Sequence, residues 1–545
     1  MLLRERLKED WIFVLCFFVL IFLIYGQSLS GNFVFDDRNL VEHQELLSNL
    51  QNMGQVIMYP FWNTESGLYR PITLLSYMFN FIFLGADPAG FHFINLVSYF
   101  LICTLIYLFI KRLFKEKKLA LVTTLLFLLL PIHTEVVANI SGRGELLALF
   151  FSLLTLYELA NARINEKETK GTGEVNFWRV GFWMLLAIGS KETAITVIPL
   201  ALIVIYIKEK RLNLEMAKKY FRSMSAILLA AIFYFFVRFF ALGPKNFFRV
   251  QTSLIENPLM FSDAWSRVIT SLKILWMYFV KTFWPVNLCS DYSYNQIPVV
   301  NNFFNPGTIL GLLLLLFAIA LIFVYRNKKP VISLASAIFI FSFLPVSNIF
   351  FPIGTIAGER LFFFPTLGLC LGSVFILTRL FDFSLSKGVK VALLFLVVVW
   401  LGVYGVASFK RQGVWLDEKN LFLSGAVCAP ESVLSRSNSG AIYLLHGNLE
   451  KAREELELAR KIKPIYSKGL NNLGLVYFKM GENEKAKELY REALKQDFPY
   501  SGTYENLILL YLNEGKIDQA RRWLLFLYPG NQKLVDALIK NYLKK

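Results

Sequence analysis

The chain has only five cysteines, Cys16, Cys103, Cys289, Cys370 and Cys428, and none pair at Cys-x-x-Cys spacing. Spread this way, at least three of them inside apolar runs, they indicate neither a disulfide framework nor a zinc site. Also missing are a glycine-rich phosphate loop, a nucleophilic Ser/His arrangement and any clustered set of metal ligands. Nucleotide-dependent, serine-hydrolase and metal-dependent chemistries therefore have no sequence signal to rest on. A formal charge of +17 could suggest nucleic acid, but the basic residues gather at the ends of apolar runs: Lys111-Arg112, Lys115 to Lys118, Lys208 to Arg211 and Arg326 to Lys329. Cytoplasmic loops of a membrane protein carry this bias, so no nucleic-acid partner is expected.

Apolar length is abundant. Of 545 residues 55% are hydrophobic, 52 are Phe, and the mean hydropathy is +0.49. Runs of about 17 to 22 apolar residues are long enough to cross ~30 Å of hydrocarbon, so an all-α polytopic membrane protein is predicted. The first run, Trp11 to Tyr25, has no convincing small-x-small cleavage site after it and reads as a retained span. About eleven spans are predicted, near residues 11–27, 92–110, 119–137, 144–161, 178–190, 192–207, 220–241, 308–325, 331–350, 361–379 and 389–408. With the N-terminus cytoplasmic, Lys111–Lys118, Arg163–Lys170, Lys208–Lys219, Arg326–Lys329 and Lys387–Lys390 fall inside and the C-terminal region outside. Lys410-Arg411 violates that pattern mildly. Residues 266–284, interrupted by Arg267, Lys273 and Lys281 and stopped by Pro285, are expected to lie on or dip into the interface. The apolar stretch Ile72 to Leu84, begun by Arg70-Pro71, is too short to cross and should lie along the surface.

Past about Ser408 hydropathy falls and a repeat begins. Gly447, Gly481 and Gly515 are 34 residues apart, as are Ala452, Ala486 and Ala520, and Tyr443, Tyr477 and Tyr511. That is the tetratricopeptide period. Gly440 and Gly474 should let paired helices approach closely, the Gly447 set should turn between them, and Pro464 and Pro499 should end their units. The predicted division is a membrane domain over 1–410, a linker over 411–429, and about three repeats plus a terminal helix over 430–545.

Polar residues recur at the external ends of the predicted spans. Asp36 and Asp37 open the first external loop, residues 28–90. Later loops bring His133 and Glu135, Arg143 and Glu145, Lys191 and Glu192, and Glu359 and Arg360 to the same side. Carboxylates beside cations at one membrane face suit a site that holds a lipid phosphate and deprotonates a hydroxyl.

The stretches Phe35-Asp36-Asp37, Tyr69-Arg70-Pro71-Ile72-Thr73, Pro131 to Val137 with Gly142 to Leu147, Lys191-Glu192-Thr193, Glu359-Arg360-Leu361 and Trp415 to Glu418 are also in a telling order. With Asn257-Pro258 through Arg267 to Pro285 and Asp291-Tyr292-Ser293, the chain resembles the transmembrane and tetratricopeptide-repeat-containing O-mannosyltransferases and their prokaryotic relatives. The resemblance implies a C-type glycosyltransferase (GT-C) fold and transfer, with inversion, of mannose or another hexose from a polyprenyl-phosphate donor. The acceptor it implies is a hydroxyl, typically Ser or Thr of a protein, on the extracytoplasmic side, and no metal or other cofactor is required. Asp36 or Asp37 matches the carboxylate that deprotonates the acceptor; the reading takes Asp37 as base and Asp36 as its positioning partner. Arg143, Lys191, Arg360 and Arg70 are candidates for the donor phosphate, and His133, Glu135, Glu192 and Glu359 for orienting roles. The implied setting is a prokaryotic inner membrane, with the repeats outside and available to dock a protein or peptide acceptor. Two competitors are a non-catalytic envelope scaffold presenting the repeats and a lipid-linked glycan ligase. A transporter fits less well, since no inverted repeat is apparent.

Overall fold

The computed structural model describes residues 10–42, 44–62, 67–161, 176–210, 213–250, 252–382, 386–496 and 499–543. The basic stretch Arg163–Lys170 lies outside the described residues. Among those described there is no strand, and the chain divides into two compact units: Met1–Ser290 with Val299–Asn420, and Asp291–Pro298 with Leu421–Lys545.

The first unit is built from α1 (Trp11–Tyr25), α2 (Pro71–Leu84), α3 (Pro88–Phe114), α4 (Lys117–Leu129), α5 (Arg143–Asn161), α6 (Phe177–Ser190), α7 (Val197–Glu209), α8 (Leu214–Asn246), α9 (Ala264–Phe283), α10 (Pro306–Val324), α11 (Pro330–Phe343), α12 (Phe363–Asp382) and α13 (Lys387–Gln412). Every predicted span falls on one of these helices. Among the described residues seven are long and apolar enough to cross a membrane, or eight if α4 and the segment Pro131–Ala138, bent by 58° from it, count as one. α6 and Pro330–Val346 are apolar but shorter. The bend follows from Pro131, which cannot continue the helix's hydrogen bonding.

The basic clusters collect at one end of this unit. Lys117 pairs with Asp10 at 2.8 Å, as Lys111 does, Arg379 with Glu116 at 3.2 Å, and Lys219 with Glu209 at 2.7 Å. Lys208 donates to Leu159 O and Ala160 O, neutralising carbonyls at the C-terminal end of α5. α9 is tied to other segments. Upstream of it, Ile356 N donates to Glu256 O and Asn257 Nδ2 to Asn348 Oδ1, and near its C-terminus Tyr278 Oη donates to Gly358 O. Both approaches thus meet the same 348–358 loop, so α9 starts and finishes at the end opposite the basic clusters. Its charged interruptions fit a helix that does not cross.

The second unit contains the Asp291–Pro298 segment and, after Glu418–Cys428 (α14), three helical hairpins and a last helix. These are α15 (Val433–Leu445) with α16 (Leu449–Ile462), α17 (Ser467–Lys479) with α18 (Asn483–Leu494), α19 (Gly502–Asn513) with α20 (Ile517–Leu527), and α21 (Gln532–Leu543). Gly447, Gly481 and Gly515 have φ of 75°, 84° and 70°, the left-handed turn that glycine adopts without a Cβ clash. A Cβ on Gly474 would lie 2.6 Å from Tyr490 Cε1, so the close helix approach read from the sequence is real. The residues Asp291–Pro298 join the first repeat: Asp291 accepts from Ser293 and Ser435 hydroxyls, each at 2.9 Å, and Val433 N donates to Tyr294 O. The expectation of no disulfide fails for two cysteines: Cys289 and Cys428 are disulfide-bonded, while Cys16, Cys103 and Cys370 are free.

Candidate active site

The two aspartates that open the first loop occupy different environments. Phe35 takes a left-handed backbone, φ 50°, which costs a bulky residue on the order of 1–3 kcal/mol. Just after it, Asp37 is fully buried. Its Oδ1 accepts Ser141 N at 2.8 Å and its Oδ2 accepts Val34 N at 3.3 Å, tying the loop to the turn before α5. Asp36 is half-buried and makes no hydrogen bond or ion pair with another described residue. Burial pushes the Asp36 carboxyl up to about 6, opposed by the Arg360 charge and assisted by Glu135 and Glu256. Burial pushes Asp37 up to about 8 even though backbone N–H groups of Val34 and Ser141 oppose it.

Arg360 stands in the field of Asp36 and is 32% exposed. The fully buried Glu135 holds it twice, accepting Arg360 Nη1 at 2.5 Å and Arg360 N at 2.9 Å. Nε and Nη2 of Arg360 bond to no other described residue. Next to it, Glu359 accepts Arg411 Nη2 at 2.8 Å and Cys289 N at 2.5 Å, and Arg411 Nη1 donates to Leu288 O. Glu359 therefore anchors the turn that presents Arg360.

A second group of charges lies between α2, α5 and α6. Arg70 clasps Glu192 through Nε at 3.0 Å and Nη2 at 2.7 Å and stacks over Phe61. Lys191 pairs with Glu145. Thr73 Oγ1 donates to Ser190 O at 2.8 Å, fixing α2 to the end of α6. Gly142 is required where it stands, since a Cβ would lie 2.2 Å from Val136 O.

Two of the predicted residues are used elsewhere. Arg143 is completely buried, and it donates to Asn95 Oδ1 at 2.9 Å, Asn80 Oδ1 at 3.2 Å and Phe91 O at 2.7 Å while lying over the Tyr77 and Phe91 rings. Its guanidinium ties α2, α3 and α5 together. His133, also fully buried, exchanges hydrogen bonds with Tyr99 at 3.0 Å and Thr366 at 2.8 Å between the Phe127 and Phe363 rings. Asn80, Asn95 and Arg411 were missed in the sequence. Asn95, a polar side chain inside a predicted span, was the available hint, because a polar group there must find a partner.

A tetratricopeptide repeat model matches residues 467–497, and the family model described as Protein O-mannosyl-transferase TMTC, DUF1736 matches residues 249–320, which include α9. Protein O-mannosyl-transferase F38B6.6 of Caenorhabditis elegans is 26% identical over 82% of the chain and 62% of its own length. Protein O-mannosyl-transferase TMTC4 of Homo sapiens is 28% identical over 78% of the chain and 63% of its own length. For the human Protein O-mannosyl-transferase TMTC1 the figures are 26%, 83% and 55%. The chain thus spans about three fifths of the length of these curated relatives. These matches, the ordered loop motifs and the helical unit followed by repeats make the chain a relative of the TMTC protein O-mannosyl-transferases.

Proposed function

We propose that the chain is a membrane glycosyltransferase that moves mannose or another hexose from a polyprenyl phosphate to a hydroxyl of a protein acceptor, with a GT-C architecture. The observation that carries this reading is the pair formed by Asp36, which has no hydrogen-bonding partner among the described residues, and Arg360, held by Glu135 with donors to spare. In the proposed reaction Asp36 takes the acceptor hydroxyl proton as the oxygen attacks the sugar's anomeric carbon. The bond from that carbon to the phosphate oxygen breaks on the opposite face, inverting the configuration. Arg360 receives the developing phosphate charge, with Arg70 and Lys191 behind it. Asp36, raised to about 6, is mostly ionised at neutral pH yet basic enough to accept a proton.

This exchanges the roles expected of the two aspartates. Asp37, engaged by two backbone donors and pushed up to about 8, supports the loop. Arg143 and His133, enclosed among their own partners, leave the donor and acceptor roles to the other residues. The site end is proposed to be extracytoplasmic, as is the repeat unit: basic clusters favour the cytoplasm, and disulfide-bonded Cys289 and Cys428 suit an oxidising compartment.

Transfer from a polyprenyl-phosphate mannose to a Ser/Thr peptide by the purified full chain tests the reading, with a panel of other lipid-linked hexoses beside it. Asp36→Asn should lower kcat by about 10²- to 10⁴-fold while the protein stays folded. Asp37→Asn should keep most of the activity. Transfer should survive a chelator. Full activity in Asp36→Asn would sink the mechanism, and absence of transfer from every lipid donor would favour the scaffold.

A further inference from the structure

The stretch around Asn257-Pro258 takes no part in the reaction proposed above. Asn257 is fully buried and its amide is fully used: Nδ2 donates to Asn348 Oδ1 at 2.9 Å and Ile353 O at 2.6 Å, and Oδ1 accepts Leu259 N at 3.1 Å. Asn348, also buried, has a left-handed backbone with φ 60°. Its Oδ1 accepts Ile353 N at 2.8 Å, and its Nδ2 reaches Thr355 O at 3.2 Å and Ile356 O at 3.3 Å. These two amides clasp the 252–258 loop to the 348–358 loop. Thr252 Oγ1 adds a bond to Gly354 O at 2.8 Å, and Ile356 N one to Glu256 O at 3.1 Å.

Glu256 is the side chain that this clasp presents. It forms a capping box with Ser253, whose Oγ accepts Glu256 N at 3.2 Å while Glu256 Oε2 accepts Ser253 N at 3.1 Å. The hydroxyls of Ser253 and Thr252 also donate to Oε2, at 3.2 and 3.5 Å. Oε2 is thereby occupied and the direction of the carboxylate is set. Oε1 accepts from no other described residue, and no cation among the described residues pairs with this exposed group. The segment to which Glu256 is bonded runs from Ile356 to Arg360, and Tyr278 Oη fixes it midway, donating to Gly358 O at 2.9 Å and accepting Gly358 N at 2.8 Å. Asp36 stands in the fields of Arg360, Glu135 and Glu256 together. A carboxylate set beside Asp36 without a cation of its own only repels it. Its open oxygen suits the hydroxyl groups of a neutral ligand, whose bonds to a charged acceptor are strong.

We propose that Glu256 accepts hydrogen bonds from the hydroxyls of the lipid-linked hexose and so selects among hexoses. The inference rests on the reading of the chain as a transferase with a lipid-linked sugar donor, and it adds the side chain that meets the sugar ring. Charge divides the work: Arg360 suits the phosphate, Asp36 the proton of the attacking hydroxyl, and Glu256 the uncharged hydroxyls between them. An acceptor of this kind rejects a sugar that lacks the matching hydroxyl, because it is then left unpaired.

The test titrates the full chain in detergent, without peptide, with a short-chain polyprenyl phosphate and with the same lipid carrying mannose or mannose lacking one hydroxyl at a time. The mannosylated lipid should bind more tightly than the bare phosphate, and at least one deoxy form should bind about tenfold more weakly than mannose. Glu256→Gln keeps an oxygen for Ser253 N. It should weaken the mannosylated lipid about tenfold, leave the bare phosphate unchanged and abolish discrimination against that deoxy form. Arg360→Gln should weaken both lipids alike. These are ratios taken on folded protein, so a lower yield does not mimic them. In transfer, Glu256→Gln should raise KM for the donor and not for the peptide. It should also move the acidic limb to lower pH, since burial raises Asp36 in either protein and the variant removes the Glu256 charge that adds to it. Loss of a turn alone would do neither. Binding of neither lipid would overturn the transferase reading and this inference with it. An unchanged gain from mannose in Glu256→Gln, an equal weakening of the bare phosphate, or a change confined to the peptide's KM would overturn this inference alone.

Discussion

The two ends of the membrane unit use charge in opposite ways. At one end Arg379 and Glu116 pair while 46% and 42% exposed, and Lys117 reaches Asp10 while 48% exposed itself. At the other, Glu135, Glu359, Asp37 and Arg143 are all but sealed from solvent, and each is met by specific donors or acceptors. The exposed end depends mainly on the sign of its charges, which sets topology, although Asp10, held by Lys111 and Lys117, is itself buried. At the sealed end an unpaired charge would be costly, so Glu135, Glu359, Asp37 and Arg143 each have a specified partner. Against that background Asp36, half-buried, without a hydrogen-bonding partner among the described residues and in the field of Arg360, stands apart from these four, and its openness is the best reason to assign it the chemistry.

The contrast can be broken most severely at Arg143. Arg143→Ala leaves Asn95, Asn80 and Phe91 O without their donor in a sealed interior and should destabilise the unit by about 3 kcal/mol or more, seen as loss of folded protein in detergent. Arg143→Lys should not restore it, because an ammonium cannot span three acceptors held by two helices. If Arg143→Ala folds normally and loses only donor affinity, Arg143 is a phosphate ligand after all.

Next in size is Arg360→Gln, expected to lower kcat/KM about 10²-fold by removing the cation from the leaving phosphate. Its pH profile distinguishes it from a merely structural change. Transfer should fall as pH drops through about 6, where Asp36 takes up its proton. Because Arg360 pulls that value down, Arg360→Gln should move the acidic limb to higher pH. A profile that shifts down or stays put would separate Arg360 from Asp36.

Asp37 gives a smaller, opposite signature. Its folded-state value, about 8, is raised above the ordinary 3.8, so its contribution to stability is complete below 3.8 and is lost as pH rises through about 8. The melting temperature should fall as pH rises from 3.8 to about 8 and level off above it, and Asp37→Asn, which cannot ionise, should remove that fall. An Asp37→Asn protein with the same loss over that window would place its cause in another group.

Much of this architecture was legible beforehand because it depends on quantities local to the sequence. Apolar run length located the seven helices that, among the described residues, are long and apolar enough to cross a membrane, and the 34-residue columns located the hairpins and their glycine turns. Order of motifs brought Asp36, Glu135, Lys191, Glu192 and Arg360 into one region. Which of them are open was illegible, since the difference between Asp36 and Asp37 is made by Ser141, over a hundred residues away. Arg143 looked like a ligand for the same reason: its acceptors, Asn80, Asn95 and Phe91 O, come from two other helices. The assignment of Asp291–Pro298 to the repeat unit was hidden too, because its partners, Val433 and Ser435, are about 140 residues downstream.

The smallest effect is expected at the exposed end. Arg379→Ala removes a pair whose two side chains are both well solvated, and the stability lost should be under about 1 kcal/mol, with no change in transfer. Whatever effect remains should shrink further in salt, because ions screen an exposed pair much more than the Glu135–Arg360 contact, whose carboxylate is buried. Comparing the melting temperatures of Arg379→Ala and Arg360→Gln proteins at low and high salt therefore measures the contrast directly. A large, salt-insensitive loss in Arg379→Ala would mean that this end, too, depends on geometry, and that charge sign alone does not explain its basic clusters.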